Sequence, residues 1–246
     1  MNITVDQICD VIRMQYSVVG SCDKTVLKAS SLYDCDDSSL VYCTDIEKLD
    51  CTNILAPIII SNSFEFTNNT FICVDNPRLA FIRVLKRFFD DKSALIYKGL
   101  NTSIHETCVI GNSGFSFEIN DDGEYEMFPH IGHVMIYDDV YIGPYCVIDR
   151  GTLDATVIGE GCKLNSYVHI GHNSKIGKNC VVHGQVFIAG SCIVGDNTHI
   201  GVGAVIRDGT TIGKNCYIGM GSVVTKDVPD NIMVHGNPAK EIRKTC

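Results

Sequence analysis

From Ile158 to Val224 every sixth residue is aliphatic: Ile158, Leu164, Ile170, Ile176, Val182, Ile188, Val194, Ile200, Ile206, Ile212, Ile218 and Val224. Two places before each stands a small or β-branched residue, among them Thr156, Cys162, Ser174, Cys180, Cys192 and Thr198, and a glycine turn signal follows the aliphatic at 159, 171, 177, 195, 201, 213 and 219. Neither the 3.6-residue helical period nor the two-residue alternation of a strand produces a step of six. A chain that buries one large and one small side chain per hexad fits a prism. Each hexad forms one flat face, three faces close a coil of about eighteen residues, and neighbouring coils exchange backbone hydrogen bonds at about 4.8 Å. The expectation is a mainly β protein, with a parallel β-helix of about seven coils over residues 99–236.

Upstream, Ile136, Ile142 and Ile148 keep the step, and the ten-residue interval to Ile158 breaks it at Asp149-Arg150-Gly151-Thr152-Leu153-Asp154. A second excursion runs from Ser113 to His130. Departures from a rigid solenoid are either tolerated loops or the places where binding residues collect. Residues 1–98 lack the repeat and read as a small α/β domain ahead of the helix. Thr4 caps a predicted helix that carries Ile8, Val11 and Ile12, Ile54–Ser61 and Phe71–Val74 are predicted strands, and Asn76-Pro77 opens a helix through Phe89. Residues 237–246 form a C-terminal tail.

Composition narrows the function classes. The 246 residues are 45% hydrophobic and 20% charged, which excludes disorder and collagen. A formal net charge of −9, from 20 Lys+Arg against 29 Asp+Glu, supplies no basic face for nucleic acid. No apolar run reaches the roughly 18 residues of a membrane span, and MNITVDQICDVI lacks the features of a signal peptide, so a cytoplasmic protein is expected. Thirteen cysteines raise the question of zinc or disulfides, but the number is odd and no CxxC pair occurs. Cys162, Cys180, Cys192 and Cys216 fall on the small inward position, which predicts core residues.

The aliphatic-Gly-x4 run resembles that of the left-handed parallel β-helix acyltransferases, and the left hand is implied by this resemblance. Asn76-Pro77-Arg78-Leu79-Ala80-Phe81, Ile131-Gly132-His133-Val134-Met135-Ile136, Val147-Ile148-Asp149-Arg150-Gly151-Thr152 and Ile170-Gly171-His172-Asn173 occur in order. Through about residue 195 they resemble UDP-3-O-acylglucosamine N-acyltransferase of lipid A synthesis, in which an N-terminal uridine-binding domain precedes the β-helix. The later part, Val223-Val224-Thr225-Lys226-Asp227-Val228-Pro229 and Gly236-Asn237-Pro238-Ala239-Lys240, is similar to the acetyl-CoA-dependent nucleotide-sugar N-acetyltransferases. The chain departs from the lipid A pattern at Asn165, where that family has an Asp, and at Gly209, where it has a second His. Its uracil-gripping positions fall on Tyr42, Asp45 and Lys48. The end at residue 246 leaves little room for a carrier-protein docking segment.

Both families imply His172 as general base, and N-acylation needs one with a pKa near neutrality to accept a proton as an amine attacks a thioester. Taken alone, His172 is equally a solvent-facing residue. Gly190 lies eighteen residues on, beneath it; the resemblance makes its amide the oxyanion donor, and otherwise it is a turn glycine. Asn173 and Asn165 are candidates for orienting the imidazole or the sugar, and Asp149, Arg150, His183, Tyr42 and Asp45 for holding the substrate. For the coenzyme A thioester the expected residues are Gly201, Gly203, Ala204, Gly219, Lys226, Pro238, Ala239 and Lys240, with Lys214 a further nearby cation. His169 and His172 also suit a zinc site of the γ-type carbonic anhydrase kind, but no third His falls at coil spacing, so no metal is expected. The implied protein is a homotrimeric acetyl-CoA-dependent N-acetyltransferase of a nucleotide-linked amino sugar. The alternatives are the carrier-protein-dependent lipid A enzyme, a metal-dependent lyase and a non-catalytic sugar-nucleotide-binding solenoid.

Overall fold

A computed structural model describes residues 2–44, 54–65, 67–89 and 95–245. The chain forms two compact units, Met1–Asp91 with Phe115–Pro129, and Lys92–Gly114 with His130–Cys246.

The first unit is built on a five-stranded sheet in the order Tyr16–Val19, Thr70–Val74, Ile58–Ser61, Ser39–Cys43, Lys28–Ala29, parallel except for its first strand. Helix α1 (Val5–Ile12) starts at a Thr4–Gln7 capping box and buries Val5, Ile8, Cys9 and Ile12. Helix α2 (Pro77–Phe88) has Asn76 as its N-cap, the side chain accepting from Leu79 N at 3.0 Å, and Pro77 at its first position, where no amide hydrogen is needed. The strand expected from Ile54 begins only at Ile58. Pro57 cannot donate to a ladder, and the Asn69 amide takes the carbonyls of Ile54 and Ala56 instead.

The excursion after Ser113 supplies this unit with a hairpin, Phe117–Ile119 against Tyr125–Met127. Its polar side meets α2 through Arg78–Glu118 (3.2 Å) and Lys86–Glu126 (2.9 Å), while Ile119, Tyr125 and Met127 face outward.

The second unit is a left-handed parallel β-helix with three faces. The first face stacks Ile96–Lys98, His133–Ile136, Ala155–Ile158, Lys175–Ile176, Ile193–Val194 and Thr211–Ile212. The second runs from Ser103–Ile104 through Tyr141–Ile142, Lys163–Leu164, Val181–Val182, His199–Ile200 and Tyr217–Ile218 to Ile232–His235. The third stacks Val109–Asn112, Val147–Asp149, His169–Ile170, Phe187–Ile188, Val205–Ile206 and Val223–Val224. Six coils are complete and a seventh begins at Val228 and Ile232–His235. The solenoid therefore starts at Ile96, and the expected tail adds Lys240–Lys244 as an antiparallel strand on its last rung.

Every residue of the six-step series is buried, and so is every small residue two places earlier. Register explains the stacking: Ile158 pairs with Ile176, Ile176 with Val194 and Val194 with Ile212. The small position does more than fill space. Thr198 donates to the Gly213 carbonyl at 2.8 Å, Ser174 to Ala189 at 2.9 Å, Cys162 to Gly177 at 2.9 Å, Cys180 to Gly195 at 3.2 Å and Cys192 to Arg207 at 3.1 Å. Each takes a corner carbonyl of the next coil that would otherwise be buried without a donor. Cys, Ser and Thr, small and able to donate, suit this role, whereas Val168, Val186 and Ala204 fill the same position by packing alone and Thr210 Oγ1 has no partner among the described residues. The eleven cysteines among the described residues are free, and burial pushes the Cys146 thiol up to about 11, away from thiolate chemistry.

The glycines after the aliphatics are not the turn residues they were expected to be. The left-handed residue of each corner lies two places later, as at Tyr167, Asn173, Asn179, Gln185, Ser191, Asn197 and Asn215. Asn tolerates that conformation better than most residues. The earlier glycine answers a closer constraint: a Cβ at Gly159 would stand 2.5 Å from the Gly177 carbonyl oxygen.

Thr198→Val keeps volume but removes the donor to Gly213 and the acceptor that receives Cys216 N at 3.1 Å. A loss of about 1–3 kcal/mol is expected from urea unfolding, and an unchanged midpoint would show that this column contributes packing alone.

Candidate active site

The edge between the third and first faces carries Gly171-His172-Asn173, then Ala189-Gly190-Ser191 one coil on, then Arg207-Asp208-Gly209. His172 is half-buried. Its ring is bordered by two glycines, since a Cβ on Gly190 would lie 2.8 Å from both Cε1 and Nε2, and one on Gly114 would lie 2.8 Å from Cδ2. Nε2 thus stands over Gly190. The Gly190 carbonyl accepts from Gly209 N at 2.9 Å, whereas its own amide hydrogen has no acceptor among the described residues.

His172 Nδ1 is buried with no hydrogen-bond partner among the described residues. A buried nitrogen left so costs about 1–3 kcal/mol, and such groups are found in strained segments, at catalytic sites and beside ordered water. Burial pulls the His172 pKa below its ordinary 6.5, opposed by the carboxylates of Asp149 and Asp208. A neutral imidazole close to an amide hydrogen with no acceptor among the described residues can accept a proton from a nucleophile while the amide binds a developing oxyanion.

Asn173 serves this geometry from behind. Its Oδ1 accepts from Thr152 N at 2.6 Å and its Nδ2 donates to Thr152 Oγ1 at 2.9 Å, so the side chain anchors the Asp149–Asp154 excursion and does not orient the imidazole. The excursion is tied on its other side by Ile131 N to Thr152 O (2.8 Å) and His133 N to Asp154 O (3.0 Å). Asp149, only 6% exposed, holds His169 Nε2 at 3.1 Å and Asn112 Nδ2 at 3.3 Å. Arg150, 5% exposed, donates to Ser113 Oγ at 3.3 Å. Both were expected to hold substrate, and both are engaged by this chain's own residues.

The remaining candidates divide between places. Asn165, His183, Gly201 and Gly219 form a column on the edge between the second and third faces, with Gly203 at a corner of that edge. A six-residue face, up to about 20 Å of chain, separates that edge from His172. Asn165 Oδ1 is used locally by Ser166 N at 2.7 Å. A Cβ at Gly203 would meet nothing within 4 Å, so that corner is open. Ala204 is fully buried and points inward, which removes it from any contact with a donor. Lys226 lies on the His172 edge, one coil past Asp208, and is exposed. Ala239 packs on the core with its amide on Val223 O at 2.8 Å, Pro238 is exposed, and Lys240 begins the terminal strand. Lys214 faces Asp196 at 3.5 Å on the remaining edge. Tyr42 is part of the first unit's aromatic cluster, 4.7 Å from Phe81 between ring centroids, while Asp45 and Lys48 lie outside the described residues. Among the described residues no group of three or more His, Cys, Asp or Glu is placed to hold a metal ion.

Two residues escaped the sequence pattern, Gly114 and His130. They are the two ends of the excursion from Ser113 to His130, and that break in period was their only signal.

The profile of the bacterial transferase hexapeptide (six repeats) matches residues 155–190 and 191–226. Over 73 residues, 30% of its length, the chain is 52% identical to UDP-3-O-acylglucosamine N-acyltransferase of Dechloromonas aromatica, of which that stretch is 21%. Over 78 residues, 32% of the chain, it is 46% identical to the protein of the same name from Coxiella burnetii, 23% of whose length is matched. The chain thus spans less than a quarter of these relatives.

Among solved structures it resembles a UDP-N-acetylglucosamine acyltransferase (TM-score 0.55, 22% identity, 82% of this chain and 61% of that one). It also resembles the UDP-N-acetylglucosamine O-acyltransferase of Moraxella catarrhalis (TM-score 0.54, 21% identity, 83% and 61%). At that identity the likeness is one of fold.

The His172 resonance is expected to titrate below pH 6.5 in an NMR pH series on the full chain. Asp149→Asn removes a carboxylate that favours the imidazolium, so the midpoint should fall further. A midpoint above 6.5 would contradict the burial described for this ring.

Proposed function

We propose that the protein is an N-acyltransferase that moves an acyl group from a thioester to the amine of a nucleotide-linked amino sugar. The observation that carries this reading is His172 Nε2 standing over the side-chain-free Gly190, whose amide hydrogen has no acceptor among the described residues. In the reaction His172 takes a proton from the amine as the C–N bond forms. The Gly190 amide binds the oxyanion, and collapse of the tetrahedral adduct expels the thiolate. The relatives' name, which specifies N-acyl transfer to a UDP-linked glucosamine, agrees with that chemistry.

The proposed donor is acetyl-CoA. Its pantetheine would lie along the open corners at Gly203 and Gly221, where a Cβ would meet nothing within 4 Å, with Lys226 and Lys240 as cations for its phosphates. Those corners and His183 lie on a different edge of the prism from His172, so the site is complete only if a second copy brings its edge against the first. The proposed assembly is a homotrimer. An outward ladder on the third face, Val109, Val147, Phe187, Val205 and Val223 with His169 among them, offers an apolar seam for it. Nucleotide recognition would fall to the first unit, with Tyr42 in its aromatic cluster. The relatives' name favours a 3-O-acylated acceptor, for which an acyl chain on a carrier protein is the second donor proposed.

Intact-mass analysis of products, with acetyl-CoA offered against UDP-, dTDP- and GDP-linked amino sugars, should show an acceptor heavier by one acetyl group. Transfer only from an acyl-carrier donor to a 3-O-acylglucosamine nucleotide would reverse the choice of donor. In whichever assay gives turnover, Gly190→Ala is expected to lower kcat about 10²-fold or more, because its methyl group would occupy the space of the imidazole. His172→Ala retaining full turnover would sink the mechanism.

A further inference from the structure

We propose that His130 and Gly114 are positioning residues for His172, forming a dry seat that holds its imidazole with Nε2 over Gly190. The purpose assigned to the seat rests on the acyl-transfer reading, but its existence does not. His130 is 0% exposed, and its ring meets that of His172 edge to face, with centroids 5.1 Å apart and planes at 68°. Gly114 closes the same ring from another side. A Cβ there would stand 2.8 Å from His130 Nε2, 2.8 Å from His172 Cδ2 and 3.2 Å from His172 Cβ, so its backbone lies against both histidines. No residue larger than glycine fits without moving one of them.

The repeat itself supplies no such wall. A corner residue of a hexad normally points into solvent, as Lys178 and Lys214 do, and His172 in that position would turn freely. The excursion from Ser113 to His130 changes this, because its two ends, sixteen residues apart in sequence, meet on the His172 ring. The returning strand is fixed by Ile131 N to Thr152 O and Gly132 N to Gly151 O (3.1 Å), and thus to the loop that Asn173 anchors. The charged or titratable groups around His172 are His130, Asp149 and Arg150 on the preceding coil, and Asp208 two coils on. Asp149 is shared with His169 and Asn112, and Arg150 is directed to Ser113. None of them takes Nδ1, so packing by His130 and Gly114 is what fixes the ring.

The test is an NMR pH titration of histidine-labelled full-length protein, with the His172 signal assigned by its absence in His172→Gln. His130→Ala should admit water and move the His172 midpoint up towards 6.5, whereas His130→Phe, which restores an aromatic edge, should return it towards the wild-type value. Gly114→Ala should displace the Cε1–H resonance of His172 and, in the transfer assay, reduce kcat at least tenfold with KM within a factor of two. Should His130→Ala fail to fold, the Phe and Gly114→Ala variants decide the matter. Wild-type His172 resonance and midpoint in folded His130→Ala and Gly114→Ala would overturn the proposal. Full turnover by His172→Gln would instead remove the acyl-transfer reading, leaving the titration results to stand for the seat.

Discussion

Parallel registration of each hexad on the one eighteen residues away constrains everything else in the solenoid. Once Ile158, Ile176, Val194 and Ile212 must superimpose, corners superimpose too, and every corner position becomes a column with one environment repeated at about 4.8 Å. The inward small position then has to be short, and Cys162, Ser174, Cys180, Cys192 and Thr198 also reach a corner carbonyl of the next coil. Towards the third face Val168, Val186 and Ala204 fill it without a donor. The core cysteines donate to corner carbonyls through sulfur, and burial pushes the Cys146, Cys192 and Cys216 thiols up, whereas the hydrogen bond with Cys180 pulls Cys162 down.

Against such regularity, chemistry arises where the column is interrupted. On the His172 edge the interruptions are losses of side chain at Gly190 and Gly114 and the insertion of two excursions. The Asp149–Asp154 loop is bonded to the backbone before it and to Asn173 after it, which makes it a rigid wall. A histidine on an unbroken corner would stay hydrated, with an unperturbed pKa. Half-burial beside these interruptions lowers it, which favours the neutral base at physiological pH at the cost of an unsatisfied Nδ1.

The solenoid was legible in the sequence because a six-residue period has one physical solution, and all twelve aliphatics from Ile158 to Val224 lie inside it. His172 and Gly190 were legible as a pair because the period alone places one beneath the other. Side-chain direction within the irregular loop was not, since Asp149 and Arg150 look like exposed ligands until the inward path of the loop is known. Asn173 read as a catalytic partner by adjacency, whereas the left-handed corner turns its amide towards Thr152. His130 was invisible because its contact with His172 crosses forty-two positions and depends on where the excursion returns. Ala204, two places before Ile206, stands on the inward small position, so the six-residue period itself argued against its place among the thioester-binding candidates.

The three edges of one scaffold differ in what they leave unsatisfied, and this decides which can bind. The edge between the first and second faces satisfies itself. Lys178 meets Glu160 at 2.9 Å, Lys214 meets Asp196 at 3.5 Å, and Asn197, Asn215 and Asn231 form an amide ladder at 3.3 and 3.0 Å. Charges alternating along a column neutralise one another, so this edge has no attraction for a phosphate, and Lys214 belongs to the scaffold. The second edge starts with Tyr145 stacked on Tyr167 at 5.0 Å and ends in open glycine corners. The third carries His172, the Gly190 amide, Asp208 and Lys226 in successive coils, and among the described residues no side-chain ladder or ion pair joins them. An acceptor amine and an acyl thioester need a base, an oxyanion donor and a surface free of side chains. Those are divided between the second and third edges, which makes association of copies a condition of the proposed chemistry as well as a means of covering the apolar ladder on the face between them.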